Sequence, residues 1–347
     1  MKILHIVAGA GTGGAETFCL DAIKALHDSG IEQTVIGRPH QHYLDAFDAR
    51  GIRHHSVSFS PLLKYFQKRQ IDRIIAEEKP DIIHSWMNRG ASFTPPQDNI
   101  PVLGWFGGYY DLKNYTSCDF YMGVTRDIVR HIKEHIAQPD RAYVGHTFGT
   151  LEESPPVTKT DYGIPEDAQM VLLLSRMHWK KGVDLLMDAG RDLNDVYFLM
   201  AGDGPDLEKY QAMAKDLGVA DRTVFPGWCD NRSALLNIAD VCVLPSRYEP
   251  FGTVIAEAWF AKTPLVATRA DGARQYVQDQ ENGLLVDIDD RDGLAAALNT
   301  ALNNKKVANK IVKGGTKTYH ELFSREVVTK TMIASYKDML KRYKSGK

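Results

Sequence analysis

The chain has 347 residues, of which 44% are hydrophobic and 25% are charged, and its formal net charge is −2. This length exceeds what one hydrophobic core usually supports, and no run approaches the roughly 20 apolar residues of a membrane-spanning helix. The charge balance argues against a nucleic-acid-binding protein. The four cysteines are too widely spaced to predict a zinc site or a disulfide framework, which favours a cytoplasmic protein.

Residues 1–150 alternate short apolar runs with helical patterns. Strands are predicted over residues 3–8, 34–36, 82–84, 102–106 and 120–124. Helices are predicted over residues 15–29, 62–78 and 126–136. Continuous apolar runs are typical of strands buried on both faces of a parallel sheet, so the alternation predicts βαβ units.

A stretch rich in glycine and proline, residues 145–165, interrupts this alternation and predicts a linker. Further strands are predicted over residues 171–174, 197–201, 223–225, 241–244 and 265–268. Further helices are predicted over residues 182–192, 205–217, 252–261 and 290–302. The sequence therefore predicts two doubly wound α/β domains, residues 1–150 and 151–324, facing a central cleft where ligands bind.

Gly9, Gly11 and Gly14 form a G-x-G-x-x-G pattern between the first strand and the first helix. The pattern is typical of a dinucleotide-binding loop, in which a pyrophosphate binds the helix N-terminus. The acidic partner of the ribose is not clearly placed, since Glu32 precedes the second strand. Gly13 and Gly14 would equally let backbone amides approach the phosphate of another ligand, and a simple tight turn is a further interpretation.

Two cations follow the first strand of the second half. Arg176 and Lys181 lie five residues apart in a loop that leads from strand to helix. An arginine fork and a lysine point charge would together neutralise a diphosphate. A pair of solvated surface cations is the alternative interpretation.

Two carboxylates, Glu249 and Glu257, lie eight residues apart around a later strand–turn–helix segment. Glu249 is expected in the turn, and Glu257 one turn into an apolar helix, where a carboxylate needs partners. The amides of Phe251, Gly252 and Thr253 would open that helix and offer an anion site. For Glu257, a salt-bridged helix acid is the alternative.

Seven motifs carry a family resemblance. They are Gly13–Glu16, Ser175–Arg176 with Lys180–Gly182, Ala201–Pro205, Phe225–Trp228, the E-x7-E of Glu249 and Glu257, Ala270–Gly272, and Glu281–Val286. Over its whole length the chain resembles glycosyltransferase family 4, and most of all the enzymes that build bacterial lipopolysaccharide cores. The resemblance implies a GT-B fold, with residues 325–347 forming a helix that packs back on the N-terminal domain.

The resemblance also implies retaining transfer from a UDP- or GDP-sugar to a glycan or glycolipid, without a metal or other cofactor. Arg176 and Lys181 would hold the diphosphate, and Glu249 the donor sugar. The remaining donor-binding residues would be Gly13, Gly14, Trp228 near the base, Phe251, Gly252, Thr253, and Glu257 on the ribose. The departing phosphate would itself take the acceptor proton, so no protein base is required.

The chain departs from the family where many relatives have a histidine after the strand at residues 102–106. Tyr109 and Asp111 follow that strand here, and with His84 they are the acceptor-side candidates. For His84, a packed or hydrogen-bonded residue is the alternative interpretation. A glycolipid acceptor would suit an enzyme at the inner face of the cytoplasmic membrane. A peripheral contact with anionic lipid would use a cluster of cations and aromatic residues, for which an ordinary amphipathic helix is the alternative interpretation. The cluster consists of Lys64, Tyr65, Phe66, Lys68 and Arg69.

Three alternatives stay open. An NAD(P)-dependent oxidoreductase would use the glycine loop, but it leaves the cations and carboxylates of the second half unexplained. A nucleotide-sugar epimerase of similar fold would convert the donor without an acceptor, and a silent binding module would not turn it over. The D-x-D at Asp287 and Asp289 is interpreted as a helix cap rather than a metal site.

Overall fold

The computed structural model describes residues 1–9, 14–149 and 154–345, with the side chains of Gln41 and His42 excepted. Two compact units are present. Unit 1 contains residues 1–148 together with the C-terminal segment from Arg325, and unit 2 contains residues 149–324. The predicted fold class is confirmed, because each unit is built on a parallel sheet with helical crossovers.

Among its described residues, unit 1 has a seven-stranded sheet in the order β3-β2-β1-β4-β5-β6-β7, with every pair parallel. The strands are β1 (Lys2–Val7), β2 (Glu32–Gly37), β3 (Arg53–Ser56), β4 (Ile82–Trp86), β5 (Val102–Phe106), β6 (Phe120–Gly123) and β7 (Ala142–Val144). The order reverses direction between β1 and β4, so these neighbours form the topological switch point of unit 1.

The helices of unit 1 are α1 (Gly14–Asp28), α2 (Gln41–Asp48), α3 (Lys64–Glu78), α4 (Met87–Phe93), α5 (Arg126–Lys133) and, as its last element, α13 (Arg325–Ser345). α13 packs against α1. The core on one side of the sheet joins apolar strand residues such as Leu4 and Ile36 to Ile71 and Ile75 of α3. The helices therefore bury the apolar strands that the sequence pattern identifies.

Unit 2 has, within its described part, a six-stranded parallel sheet in the order β10-β9-β8-β11-β12-β13. The strands are β8 (Gln169–Leu174), β9 (Val196–Ala201), β10 (Thr223–Gly227), β11 (Val241–Leu244), β12 (Leu265–Thr268) and β13 (Leu284–Val286). The switch point lies between β8 and β11, which pair directly through Val171 and Val241. The loops that follow these two strands therefore lie side by side at the carboxyl-terminal end of the sheet.

The helices of unit 2 are α6 (Val183–Gly190), α7 (Leu207–Asp216), α8 (Arg232–Ile238), α9 (Thr253–Ala261), α10 (Ala273–Tyr276), α11 (Arg291–Asn303) and α12 (Lys305–Thr318). A π-helical turn, Tyr319–Phe323, ends the unit. Leu186 of α6, Leu294 and Leu298 of α11 and Phe198 of β9 share one apolar core. No helix of the described residues is both long enough and apolar enough to cross a bilayer.

Candidate functional site

The two loops at the switch point of unit 2 are held together by their backbones. The amide of Arg247 donates to the carbonyl of Lys180 over 2.8 Å, and the amide of Tyr248 donates to the same oxygen over 3.2 Å. Gly182 has a φ of +65°, and a Cβ atom there would lie 1.9 Å from the carbonyl oxygen of Pro245. Glycine is therefore required at position 182 for the loops to approach this closely.

A second tie between these loops is the side chain of Arg247, which the sequence analysis did not single out. Its guanidinium donates to both carboxylate oxygens of Asp184, each over 2.8 Å, and to the carbonyl of Trp179 over 2.8 Å. A further bond to Asp289 measures 2.6 Å. Because a planar fork bound at four acceptors can adopt few orientations, Arg247 fixes the loop that carries Lys181.

Lys181 and Glu249 face each other across the two loops. Lys181 Nζ donates to Glu249 Oε2 over 2.5 Å, and both side chains are mostly buried. Arg176 is exposed and forms no ion pair with any residue that the structure describes. The loops therefore present one uncommitted cation beside one lysine–carboxylate pair.

The N-terminus of α9 lies at the same, carboxyl-terminal end of the sheet. Gly252 precedes the helix with a φ of +83°, and no side chain caps it. The amides of Phe251, Gly252 and Thr253 donate to no described residue. The turn is clamped from behind, because Gly272 donates to the carbonyl of Glu249 over 2.7 Å. Three unpaired amides at the positive end of a helix form a site suited to an anion.

Glu257 lies inside α9 and is only 2% exposed. Its Oε1 accepts a bond of 2.5 Å from Arg232, the first residue of α8, while Oε2 is buried without a partner among the described residues. Burial raises the pKa of Glu257, although the charge of Arg232 opposes that shift. The predicted salt bridge of a helix acid is therefore present, and it leaves the second carboxylate oxygen able to accept a hydrogen bond.

Trp228 immediately follows β10, at the outer edge of the sheet and two strands from β8. Its side chain is 61% exposed, and the indole N–H donates to Asp230 over 2.7 Å. An exposed ring held by one hydrogen bond offers a stacking surface at the carboxyl-terminal end of the sheet, where the cations also lie.

The helix-cap prediction for the D-x-D segment is wrong, because neither Asp287 nor Asp289 caps the helix that follows. The N-cap of α11 is Asp290, whose carboxylate accepts from the amide of Gly293 over 2.9 Å. Asp289 instead binds Arg247, and Asp287 lies 3.1 Å from Arg269. The cap is therefore one residue later than predicted, because Asp287 and Asp289 are drawn to arginines that are distant in sequence.

Comparison with known proteins places this geometry in a family. The family described as Glycosyltransferase Family 4 matches residues 12–147, and Glycosyl transferases group 1 matches residues 156–318. The chain is 30% identical over 331 residues to the lipopolysaccharide core biosynthesis glycosyltransferase LpsD of Rhizobium meliloti, covering 95% of this chain and 96% of LpsD. The protein is a family 4 glycosyltransferase. LpsE of the same organism is equally similar, at 30% identity over 331 residues, covering 95% of this chain and 97% of LpsE.

Solved structures show the same GT-B fold at lower sequence identity. A glycosyltransferase from Rickettsia africae matches with a TM-score of 0.84 and 21% identity, covering 98% of each chain. Anabaena HepE, solved in complex with UDP-glucose, matches with a TM-score of 0.84 and 19% identity, covering 97% of this chain and 100% of HepE. Membership of a glycosyltransferase family leaves the oxidoreductase alternative unsupported.

In unit 1 of the glycosyltransferase, the glycine loop is only partly described. Gly13 lies outside the described residues, and Gly14 begins α1 at an exposed position. His84 is fully buried in β4, where Nδ1 bonds to the hydroxyl of Tyr336 over 2.7 Å and the ring stacks on Trp86 at 4.2 Å. This burial corrects the acceptor-side prediction for His84, because a fully covered imidazole packs the core and is inaccessible to an acceptor.

Tyr109 and Asp111 of the glycosyltransferase lie in the loop that follows β5. The hydroxyl of Tyr109 donates to Asp127 over 2.5 Å. Asp111 is exposed and caps a short helical turn by accepting from the amide of Lys113 over 2.9 Å. Bonds from Lys113 also lower the pKa of Asp111. Both side chains thus already have partners, although the carboxylate of Asp111 remains open to solvent.

Proposed function

We propose that the enzyme transfers a sugar, with retention of configuration and without a metal, from a UDP- or GDP-sugar to a glycolipid or oligosaccharide acceptor of a lipopolysaccharide core or surface polysaccharide. The observation that carries the proposal is the charge arrangement at the switch point of unit 2. Arg176, Lys181 and the open amides of α9 all lie at the carboxyl-terminal end of the sheet of unit 2. The names of LpsD and LpsE, and the UDP-glucose bound to HepE, support the choice of donor and acceptor class.

For the diphosphate to bind, Lys181 has to leave Glu249 and pair with a phosphate. In the structure this ammonium is committed to Glu249. A donor diphosphate brings at least two negative charges, which Arg176 meets first because it has no competing carboxylate. Transfer of Lys181 to the phosphate would then free Glu249 to accept hydroxyl groups of the donor sugar. The ion pair therefore holds both side chains in place until the donor arrives.

The ribose is assigned to Glu257. Its unpartnered Oε2 is a buried acceptor, and leaving such an oxygen unsatisfied costs about 1–3 kcal/mol. A ribose hydroxyl would donate to it, while Arg232 keeps Oε1 and the negative charge in place. Trp228 is assigned to the nucleobase, which would stack on its exposed indole.

The chemical step follows from these placements. The bond between the anomeric carbon and the β-phosphate oxygen breaks, and the acceptor oxygen bonds to the same face of that carbon. The acceptor proton passes to the departing phosphate, so no protein base is consumed. Arg176, Lys181 and the amides of Phe251, Gly252 and Thr253 would stabilise the charge that accumulates on the leaving group.

A thermal-shift panel of UDP- and GDP-sugars tests the proposal, since a ligand that binds only the folded state raises Tm by mass action. One nucleotide series should raise Tm, and Arg176→Ala should remove most of that rise. Lys305→Ala, which removes a cation from the start of α12, is the matched control. If no nucleotide sugar changes Tm, the proposed donor class is wrong.

Product analysis tests the finer claims. The anomeric configuration of the product, read by NMR, should equal that of the donor, and activity should survive EDTA. An inverted product would contradict retention. Incubation of donor alone should release free sugar slowly without changing its stereochemistry, whereas conversion to another sugar would favour the epimerase alternative.

Contact with a membrane is proposed through the segment from Leu62 to Arg69. Leu62 is 95% exposed and Phe66 is 69% exposed, and both Leu63 and Tyr65 also face solvent. The cations of this segment are Lys64, Lys68 and Arg69, and the guanidinium of Arg69 lies 4.9 Å from the ring centre of Tyr65. Exposed apolar side chains among cations fit the headgroup region of an anionic bilayer.

Vesicle sedimentation tests this contact. The enzyme should sediment with vesicles that contain anionic lipid and much less with zwitterionic ones. Leu62→Glu combined with Phe66→Glu should abolish sedimentation, whereas Ile288→Glu, at an exposed apolar residue of unit 2, should not. Equal sedimentation of the three proteins would rule out insertion of this segment.

A further inference from the structure

A second group of chemically competent side chains lies in unit 1, at the C-terminal end of α5. His131, Glu134 and His135 each offer one ligand atom, and these atoms all lie within 4.8 Å of one another. His131 is half-buried, and Glu134 and His135 are exposed. His131 lies in the last turn of α5, and Glu134 and His135 directly follow the last residue of that helix, so all three side chains lie close together at its C-terminal end. None of them has a role in the proposed transfer reaction.

The hydrogen bonds of the two imidazoles fix their tautomers. His131 Nε2 lies 3.1 Å from the carbonyl oxygen of Tyr110, and His135 Nδ1 lies 2.8 Å from the carbonyl oxygen of His131. A carbonyl oxygen only accepts, so both of these nitrogens carry the proton. The lone pairs are then on Nδ1 of His131 and Nε2 of His135. A backbone carbonyl bound to the far nitrogen is the arrangement that commonly orients metal-ligating histidines.

We infer that His131, Glu134 and His135 form a binding site for a divalent transition metal, with zinc as the best fit. Two neutral imidazoles and one carboxylate suit zinc, whereas magnesium and calcium prefer all-oxygen sites. Zinc bonds of about 2.0–2.2 Å place donor atoms roughly 3.5 Å from one another, so the three side chains would move closer together when the metal binds. A water molecule would complete a tetrahedron.

The carboxylate of Glu134 can bind the metal with little loss of folding stability. Glu134 accepts a 2.8 Å bond from Arg130, but that pair is exposed and such pairs contribute little to stability. Arg130 also holds Asp127 through two nitrogens, at 2.9 and 2.7 Å. Arg130 therefore keeps a carboxylate partner when Glu134 turns to the metal.

The site is connected to the loop that follows β5. The bond from His131 to Tyr110 joins the ligand to this loop directly, and the ring of Tyr109 meets that of His131 edge-on, with centroids 5.7 Å apart. A bound metal would fix His131 and hence restrict the loop that contains two acceptor-side candidates.

Calorimetry on the full-length, EDTA-stripped enzyme without nucleotide tests the site. Wild type should bind one Zn²⁺ per chain at this cluster. His135→Ala changes an exposed side chain, and this variant and Glu134→Gln should each weaken binding about tenfold or more. His320→Ala, an exposed histidine of unit 2, is the matched control and should bind as wild type does. Equal affinity in all four proteins, or no binding to wild type, would overturn the site.

Hydrogen exchange tests the link to the loop. Zn²⁺ should slow amide exchange in residues 107–114 of wild type and leave these amides unchanged in His135→Ala. Binding without slower exchange would refute the coupling. Because neither experiment contains a nucleotide sugar, both outcomes are independent of the proposed transfer reaction.

Discussion

The two sheets share a topology but differ in the chemistry of their switch points. In unit 1, β1 and β4 meet at His5 and His84, which face each other in register and are fully buried. The indole of Trp86 donates to His5 Nδ1 over 3.0 Å, so the opposite nitrogen donates to Gln33 over 2.8 Å. This switch point is an aromatic core of neutral groups.

In unit 2, the loops that follow β8 and β11 carry charge instead. Lys181, Glu249 and Arg247 are each paired, and Arg176 is left exposed without a partner in the described chain. The fold supplies the same carboxyl-terminal end of a sheet in both units, and in unit 2 the described loops at this end carry the unpaired cation of Arg176 and the open amides of α9. Function thus depends on which side chains occupy the switch point, rather than on the topology itself.

The largest effect is expected from removing the charge of Lys181. Lys181→Ala should lower kcat by about 10²–10³-fold, since loss of one group that stabilises developing charge typically has this effect. Lys180→Ala is the matched control, because that ammonium lies over the ring of Tyr248, 5.1 Å from its centre, and is not paired with Glu249. Steady-state assays with donor and acceptor would show it. Equal losses in the two variants would argue against a specific role for Lys181.

How far sequence predicts this site depends on the range of the interaction. Strands β5, β11 and β12 agree with their predicted bounds because nearly all of their residues are apolar. β3 escaped prediction because Arg53–Ser56 is a polar edge strand with no apolar run.

The same limit applies to the side chains of the site. The E-x7-E spacing locates Glu249 and Glu257 in a turn and a helix, but nothing local links Arg232 to Glu257 or Arg247 to Asp184. These pairs are 25 and 63 residues apart, and folding alone brings them together. The sequence did contain a clue to Arg247, because this arginine lies two residues before Glu249 in the turn that the E-x7-E spacing identifies.

The next effect is a loss of stability of unit 1 in acid. Burial lowers the pKa of His5 from 6.5 to about 4, with its bond to Gln33 opposing the shift, and burial also lowers the pKa of His84. Between these pH values the unfolded chain binds protons that the folded chain excludes, so stability falls as pH falls below about 6.5. His5 alone should cost about 2 kcal/mol between pH 7 and pH 5.

Hydrogen exchange at the two pH values, corrected for intrinsic rates, would measure the local free energy of opening. Amides of β1 and β4 should lose protection at pH 5 relative to those of β8 and β11. His5→Gln should flatten this pH dependence, whatever it does to stability at pH 7. An unchanged slope in that variant would show that other groups are responsible.

A smaller effect is expected on nucleotide affinity when the ribose partner is changed. Glu257→Gln keeps the size of the side chain but removes the charge, and should weaken UDP or GDP binding by about 10–100-fold, the usual range for a hydrogen bond to a charged group. Calorimetry on the folded variant would measure it. Glu208→Gln, on α7, controls for loss of one negative charge from unit 2. Unaltered nucleotide affinity in Glu257→Gln would remove the ribose assignment.

The smallest effect should come from Arg247, which acts through the loop that it orients. Arg247→Lys keeps the charge but cannot hold both oxygens of Asp184 and the carbonyl of Trp179 together, so Lys181 becomes less well placed. We expect kcat to fall about tenfold, because modest misplacement of a charge-stabilising group weakens it without abolishing it. KM for the donor should change less than kcat. A purely structural role predicts a lower Tm with kinetic constants unchanged in the folded fraction, and that result would separate the rigid loop from the chemistry.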